Sequence, residues 1–154
     1  MLFVYFRLGP ACYALESREI VEIVPLVDCR PLPRAPAFVA GLFDYRGRVV
    51  PVIDLSEMSG QGAARRLMST RIILVDYPDR LGRGQVLGLM AERVLDAAGH
   101  ETPDLQSAGI AIPDAPYLGA VLHERSGTVQ LVKVSELLTG PVQELLFPAG
   151  EAGS

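Results

Sequence analysis

The chain has 154 residues, 49% of them hydrophobic and 21% charged, which is long enough to bury a core and too apolar for intrinsic disorder. Its 14 basic and 18 acidic residues leave a net charge of −4, which argues against nucleic acid as the main partner, because phosphate binding draws on clustered Lys and Arg. Fifteen glycines and twelve prolines favour many turns over long helices.

Short punctuated apolar runs predict strands almost throughout. Residues 2–8 form the first, Gly9-Pro10 a turn, and residues 11–15 its hairpin partner. A one-turn helix at Ser17-Arg18-Glu19 precedes a strand over 20–24. Prolines 25, 31, 33 and 36 make the next stretch an extended crossover, since proline cannot donate to a ladder. Apolar residues 38–43 turn at Asp44-Tyr45-Arg46-Gly47-Arg48 into a strong strand over 49–55, and Ser56 is placed to cap a short helix. Residues 61–66 form a polar loop. A second hairpin pairs residues 70–77 with 85–90 around Asp79-Arg80-Leu81-Gly82-Arg83-Gly84. Residues 102–116 have loop composition, two strands follow over 118–123 and 128–134, and a short helix is expected over 135–138.

The two halves echo one another. Tyr13-Ala14-Leu15 with Ile20-Val21-Glu22 returns as Leu87-Gly88-Leu89 with Val94-Leu95-Asp96; Gly47 to Val52 returns as Gly127 to Val132, and Ser56-Glu57 as Ser135-Glu136. Short repeated β elements of this kind close into small barrels that hide their edges. The expected organisation is one domain over residues 1–140, its halves near 1–66 and 67–140, with a tail over 141–154.

Chemistry is sparse. Histidines 100 and 123 are the only two: His100 sits in Gly99-His100-Glu101-Thr102, a solvated loop by composition, and His123 closes a strand beside Glu124, so neither is expected to be catalytic. Asp44 and Asp54 are a conceivable carboxylate pair, although Asp54 precedes a helix start, where a carboxylate has a plain structural use. Gly82-Arg83-Gly84 lacks the third glycine and the Lys-Ser/Thr of a phosphate loop, so a hairpin tip explains it. Cys12 and Cys29 stand alone, with no metal-ligand spacing, and are expected as buried thiols of a reducing cytoplasm. No catalytic residue, metal or cofactor is expected. The apolar N-terminus stops at Arg7, and no run approaches the ~18 residues of a membrane span, so neither a leader nor membrane insertion is expected.

Residues 38–55, Phe-Val-Ala-Gly-Leu-Phe-Asp-Tyr-Arg-Gly-Arg-Val-Val-Pro-Val-Ile-Asp-Leu, resemble the centre of the CheW family of chemotaxis coupling proteins. Val21-Glu22-Ile23-Val24, the proline crossover at Leu32-Pro33-Arg34-Ala35-Pro36, Leu87-Gly88-Leu89 and Tyr117-Leu118-Gly119 extend the likeness over nearly the whole chain. The resemblance implies a mostly β fold: two SH3-like five-stranded barrels around a shared core, with short helices and no active site. It also implies a cytoplasmic scaffold that binds the regulatory domain of a CheA-type histidine kinase and the cytoplasmic tip of a methyl-accepting chemoreceptor, recruited to receptor arrays.

Carried over by resemblance, Arg46 falls on the arginine of the family's turn and helps hold a receptor- and kinase-binding groove. Ile20 and Glu22 fall on the strand lining it, with Glu22 either a partner of Arg46 or a direct contact to a receptor helix. Val39 and Leu42 lie under the groove. Asp44 and Tyr45 replace the family's Asn-Leu, and Asp44 either pairs with Arg46 or repels an acidic tip. These departures, with Lys133 in place of a usual Asp, point to a Wsp-type, surface-sensing paralogue as an alternative. Two further alternatives are a small β-barrel nucleic-acid binder, disfavoured by charge, and a phosphatase acting on the response regulator, which would demand an acidic and amide pair placed on a helix that the sequence does not offer.

Overall fold

The computed structural model describes residues 2–79, 81–99, 104–106, 117–124 and 127–148. Among them are ten strands: β1 (Leu2–Leu8), β2 (Ala11–Glu16), β3 (Ile20–Pro25), β4 (Val39–Tyr45), β5 (Arg48–Asp54), β6 (Arg71–Pro78), β7 (Gly84–Gly99), β8 (Asp104–Gln106), β9 (Leu118–Glu124) and β10 (Gly127–Val132). Helices α1 (Leu55–Met58) and α2 (Gly140–Leu146) and 3-10 turns at Ser17–Glu19 and Val134–Glu136 complete it.

The strands form two small barrels joined through β7. Its first half pairs with β6 and β5, giving the order β3-β6-β7-β5-β4; its second half pairs with β1, giving β7-β1-β2-β10-β9-β8. The register slips between the two halves, and Arg93 there has φ 51°. A bulge of this kind bends a strand and re-aims it, so one strand serves both barrels.

Alternation explains why these runs are apolar over several consecutive positions. Along β1, Phe3 and Tyr5 face the interior of one barrel, while Val4, Phe6 and Leu8 face the core between barrels. Along β6, Ile72 and Leu74 fill the other barrel, while Ile73, Val75 and Tyr77 join the central core. Successive side chains of a strand point to opposite faces, so a strand buried on both faces loses its polar positions. Burying each such aliphatic side chain contributes about 1.5–3 kcal/mol, and the largest group of buried residues lies between the barrels.

The barrels do not follow the expected halves. Strands β1 and β2, from the start of the chain, pair with β10 and β7 from beyond residue 66. The echoed strands make the parallel pairs: β5 lies beside β7, and β10 beside β2. Each half thus hands strands to the other, and the shared core follows from that exchange. Helix α2 crosses the expected boundary at 140 and buries Val142 and Leu146 in the central core, with Phe147 stacked on Tyr77 at 5.9 Å.

Two helix assignments change. The N-cap of α1 is Asp54, not Ser56: its Oδ1 accepts from Ser56 N and Glu57 N at 3.0 and 3.2 Å, and Ser56 is inside the helix. One oxygen thus serves two orphan donors of the helix, and Oδ2 accepts from a further backbone N–H, Ala64 N at 2.9 Å. The helix expected over 135–138 is the 3-10 turn Val134–Glu136. Among the described residues, no helix is long and apolar enough to cross a membrane.

Candidate functional site

In the β3-β6-β7-β5-β4 barrel, β3 and β4 are the outermost strands. Strands β4 and β5 meet at a two-residue turn, with Tyr45 opposite Arg48 and Arg46 and Gly47 at φ 50° and 81°. Positive φ at both central residues is the primed geometry that matches strand twist. Glycine adopts it freely; Arg46 does so against its Cβ, a strain that marks positions held for another purpose.

That turn carries Tyr45 and Arg46 across to β3. The Tyr45 hydroxyl donates to Glu22 Oε1 at 2.5 Å, and Arg46 Nη2 donates to the same oxygen at 3.0 Å. The Arg46 guanidinium lies 5.3 Å from the Tyr45 ring centroid, in cation-π range. The Glu22 hydrogen bond, with burial second, raises the Tyr45 hydroxyl above its ordinary pKa. A bulge in β3 makes this meeting possible: Ile20 pairs with Val75 and Glu22 with Leu74, leaving Val21 extra and exposed. Ile20 and Ile23 can then both pack on the central core while Glu22 turns to the seam.

Arg46 is 74% exposed and Glu22 39%. An ion pair so wetted adds about 0–1 kcal/mol, too little to account for a strained arginine by stability alone. Its planar fork remains open to solvent and to a partner's carboxylate or carbonyl groups.

The other expected residues fall on two sides of this cluster. Val39, like Ile20, packs against the central core. Leu42 is half-buried, and its backbone exchanges hydrogen bonds of 2.8 and 2.9 Å with Arg30. Asp44 does not pair with Arg46; it lies 3.5 Å from Arg30, both exposed. Gly41 allows the crossover to lie this close, since a Cβ there would sit 2.2 Å from the Arg30 carbonyl oxygen and its φ is 139°. Arg66 and Asp28 form another exposed pair, 3.4 Å apart. Arg30, Asp28 and Arg66 carry no motif that could have revealed these pairs in sequence.

The remaining candidates for chemistry are occupied structurally. Asp54 caps α1 and is not paired with Asp44. Glu92, buried on β7, accepts from Arg65 N and Nε at 2.8 and 2.9 Å, and these bonds overcome burial to lower its carboxyl pKa. Asp79 organises the β6–β7 tip, accepting from Leu81 N, Arg83 N, Arg83 Nε and Gln85 Nε2. His123 lies on β9 opposite Thr128, and His100 falls outside the described residues. Cys12 and Cys29 are not in a disulfide. Among the described residues, no group of three or more His, Cys, Asp or Glu side chains is arranged to hold a metal.

Comparison with known proteins gives one consistent answer. The family described as CheW-like domain matches residues 2–141. The chemotaxis protein CheW of Helicobacter pylori is 27% identical over 137 residues, covering 88% of this chain and 80% of that protein. The chemotaxis protein CheW of Treponema pallidum is 29% identical over 138 residues, covering 84% and 75%. The crystal structure of the scaffolding protein TtCheW from Thermoanaerobacter tengcongensis matches with a TM-score of 0.75 at 24% identity, over 88% of this chain and 90% of that one. At that identity the likeness is one of fold, and it places the two-barrel arrangement among known structures.

Proposed function

The chain belongs to the CheW family, and from that membership we propose that it is a non-catalytic adaptor coupling a chemoreceptor to a CheA-type histidine kinase in chemotactic signalling. The receptor contributes its cytoplasmic tip and the kinase its regulatory domain. Coupling means that receptor state favours one kinase arrangement through differential contacts, and a rigid β scaffold supplies preformed faces at low ordering cost.

The observation that carries this reading is the cluster of Glu22, Tyr45 and Arg46 at the barrel seam, exposed and built on a strained turn. Ile20, Val39, Leu42 and Asp44 flank it and complete the proposed docking face. The nucleic-acid alternative fares poorly: the net charge is −4, and Arg30, Arg65 and Arg66 each lie beside a carboxylate that offsets the positive potential a phosphate backbone would need.

Co-sedimentation tests the reading. Wild type should pellet with receptor-bearing membranes and kinase, and Arg46→Glu should be recovered at a fraction of that level while its unfolding temperature stays within a few degrees. Equal recovery of the two proteins would remove the seam from the docking face.

A further inference from the structure

The seam cluster does not account for a second feature, a recess elsewhere in the fold. A cavity of about 790 Å³ opens in the other barrel, among β1, β2, β9, β10 and the second half of β7. None of the seven expected site residues lines it. Its volume is within the roughly 300–1,000 Å³ of small-molecule sites.

Its walls divide by exposure. Tyr5 and Val129 are buried and form an apolar floor, while Arg7, Arg93 and Leu95 are exposed at the rim. Arg7 and Arg93 come from neighbouring strands, Arg7 standing opposite Glu92. Arg7 is held in place by its Nη1 donating to the Pro10 carbonyl at 3.0 Å, which leaves most of its five donors for another group. Arg93 sits at the β7 bulge with φ 51°, the kind of position that re-aims a side chain. No carboxylate lines the cavity among the described residues; Glu92, next to Arg93 in sequence, is hydrogen-bonded by Arg65 and also feels the charge of Arg93. Arg7 and Arg93 thus stand at the rim of a recess whose described lining residues include no carboxylate.

We propose that this cavity binds a small amphipathic monocarboxylate, its apolar body on Tyr5, Val129 and Leu95 and its carboxylate between Arg7 and Arg93. Arginine's fork geometry suits a carboxylate, and charge-assisted bonds of this kind are the stronger ones. The site is separate from the seam, so it does not depend on the adaptor reading and would give the protein a small-molecule input of its own.

Fluorescence titration with dansyl-aminoundecanoic acid tests the proposal on the full chain. Saturable one-site binding is expected, with the methyl ester of the probe weaker by about tenfold or more. The double variant Arg7→Ala/Arg93→Ala should lose affinity for the acid by a similar factor at unchanged unfolding temperature, since both side chains are exposed. Val129→Phe, which fills the floor, should abolish binding; the arginine variant decides the matter even where that substitution prevents folding. Absence of saturable binding, equal affinity for acid and ester, or an unaffected double variant would each overturn the proposal.

Discussion

Tyr45 and Glu22, on the two outermost strands of one barrel, are joined by a 2.5 Å hydrogen bond from the phenol to the carboxylate. It closes a barrel edge through side chains where no backbone ladder does. Because that bond needs the phenol protonated, it raises the hydroxyl pKa, with burial adding to the effect. The resulting stabilisation is complete below the unfolded tyrosine value of about 10 and is lost as pH rises through the higher folded value. Tyr45→Phe should therefore differ from wild type in urea midpoint at pH 8 and approach it as the pH rises past the raised folded value of the phenol. A gap that stays constant while the phenol ionises would show that its proton is not what the bond to Glu22 requires.

Asp79 makes the opposite prediction in acid. Burial pushes its carboxyl pKa up, but hydrogen bonds from Gln85, Arg83 and Leu81 outweigh it and hold it at about 2. A depressed carboxyl contributes stability above its unfolded value, near 4, that is lost as pH falls through the folded one. Wild type should unfold at higher temperature than Asp79→Asn at pH 6, and the difference should fade between about pH 4 and pH 2.

Gly41→Ala should destabilise by about 2 kcal/mol or more, since it combines a φ costly for any side chain with a backbone clash against Arg30. Chemical denaturation of the two proteins measures it, and Gly47→Ala is the comparison: its Cβ meets nothing within 4 Å, so only the backbone cost remains there.

Helix α2 is part of the core, and Leu146→Ala should cost about 2–3 kcal/mol in urea unfolding, as expected when a buried leucine leaves a cavity. A loss of only a few tenths would mean the helix is an appendage to an otherwise complete fold.

Strands whose two faces are both buried were legible in the sequence, because the apolar runs in β1, β5 and β6 left no other reading. The turn at Arg46-Gly47 was legible through its glycine and its family motif. The full length of β7 was hidden by Glu92-Arg93: a charged pair reads as a strand end, yet Glu92 is buried because Arg65 reaches it from a distant loop. Exchange of strands between halves was hidden for a related reason, since local pattern specifies strands but not which partner across the chain they choose. Ser56 looked like the cap because its type is common there, whereas Asp54, two positions earlier, supplies two acceptor oxygens. The ion pairs of Asp44 with Arg30 and Arg66 with Asp28 join residues 14 and 38 positions apart, beyond any helical or strand periodicity.

The most direct test of the account is kinase activity in reconstituted membranes holding receptor, CheA-type kinase and this protein. Wild type should change receptor-controlled autophosphorylation by at least about fivefold, the lower end of a typical coupling energy, and folded Arg46→Glu should leave it near the level without adaptor. Kinase activity that is the same with wild type, with the variant and with neither would contradict the account.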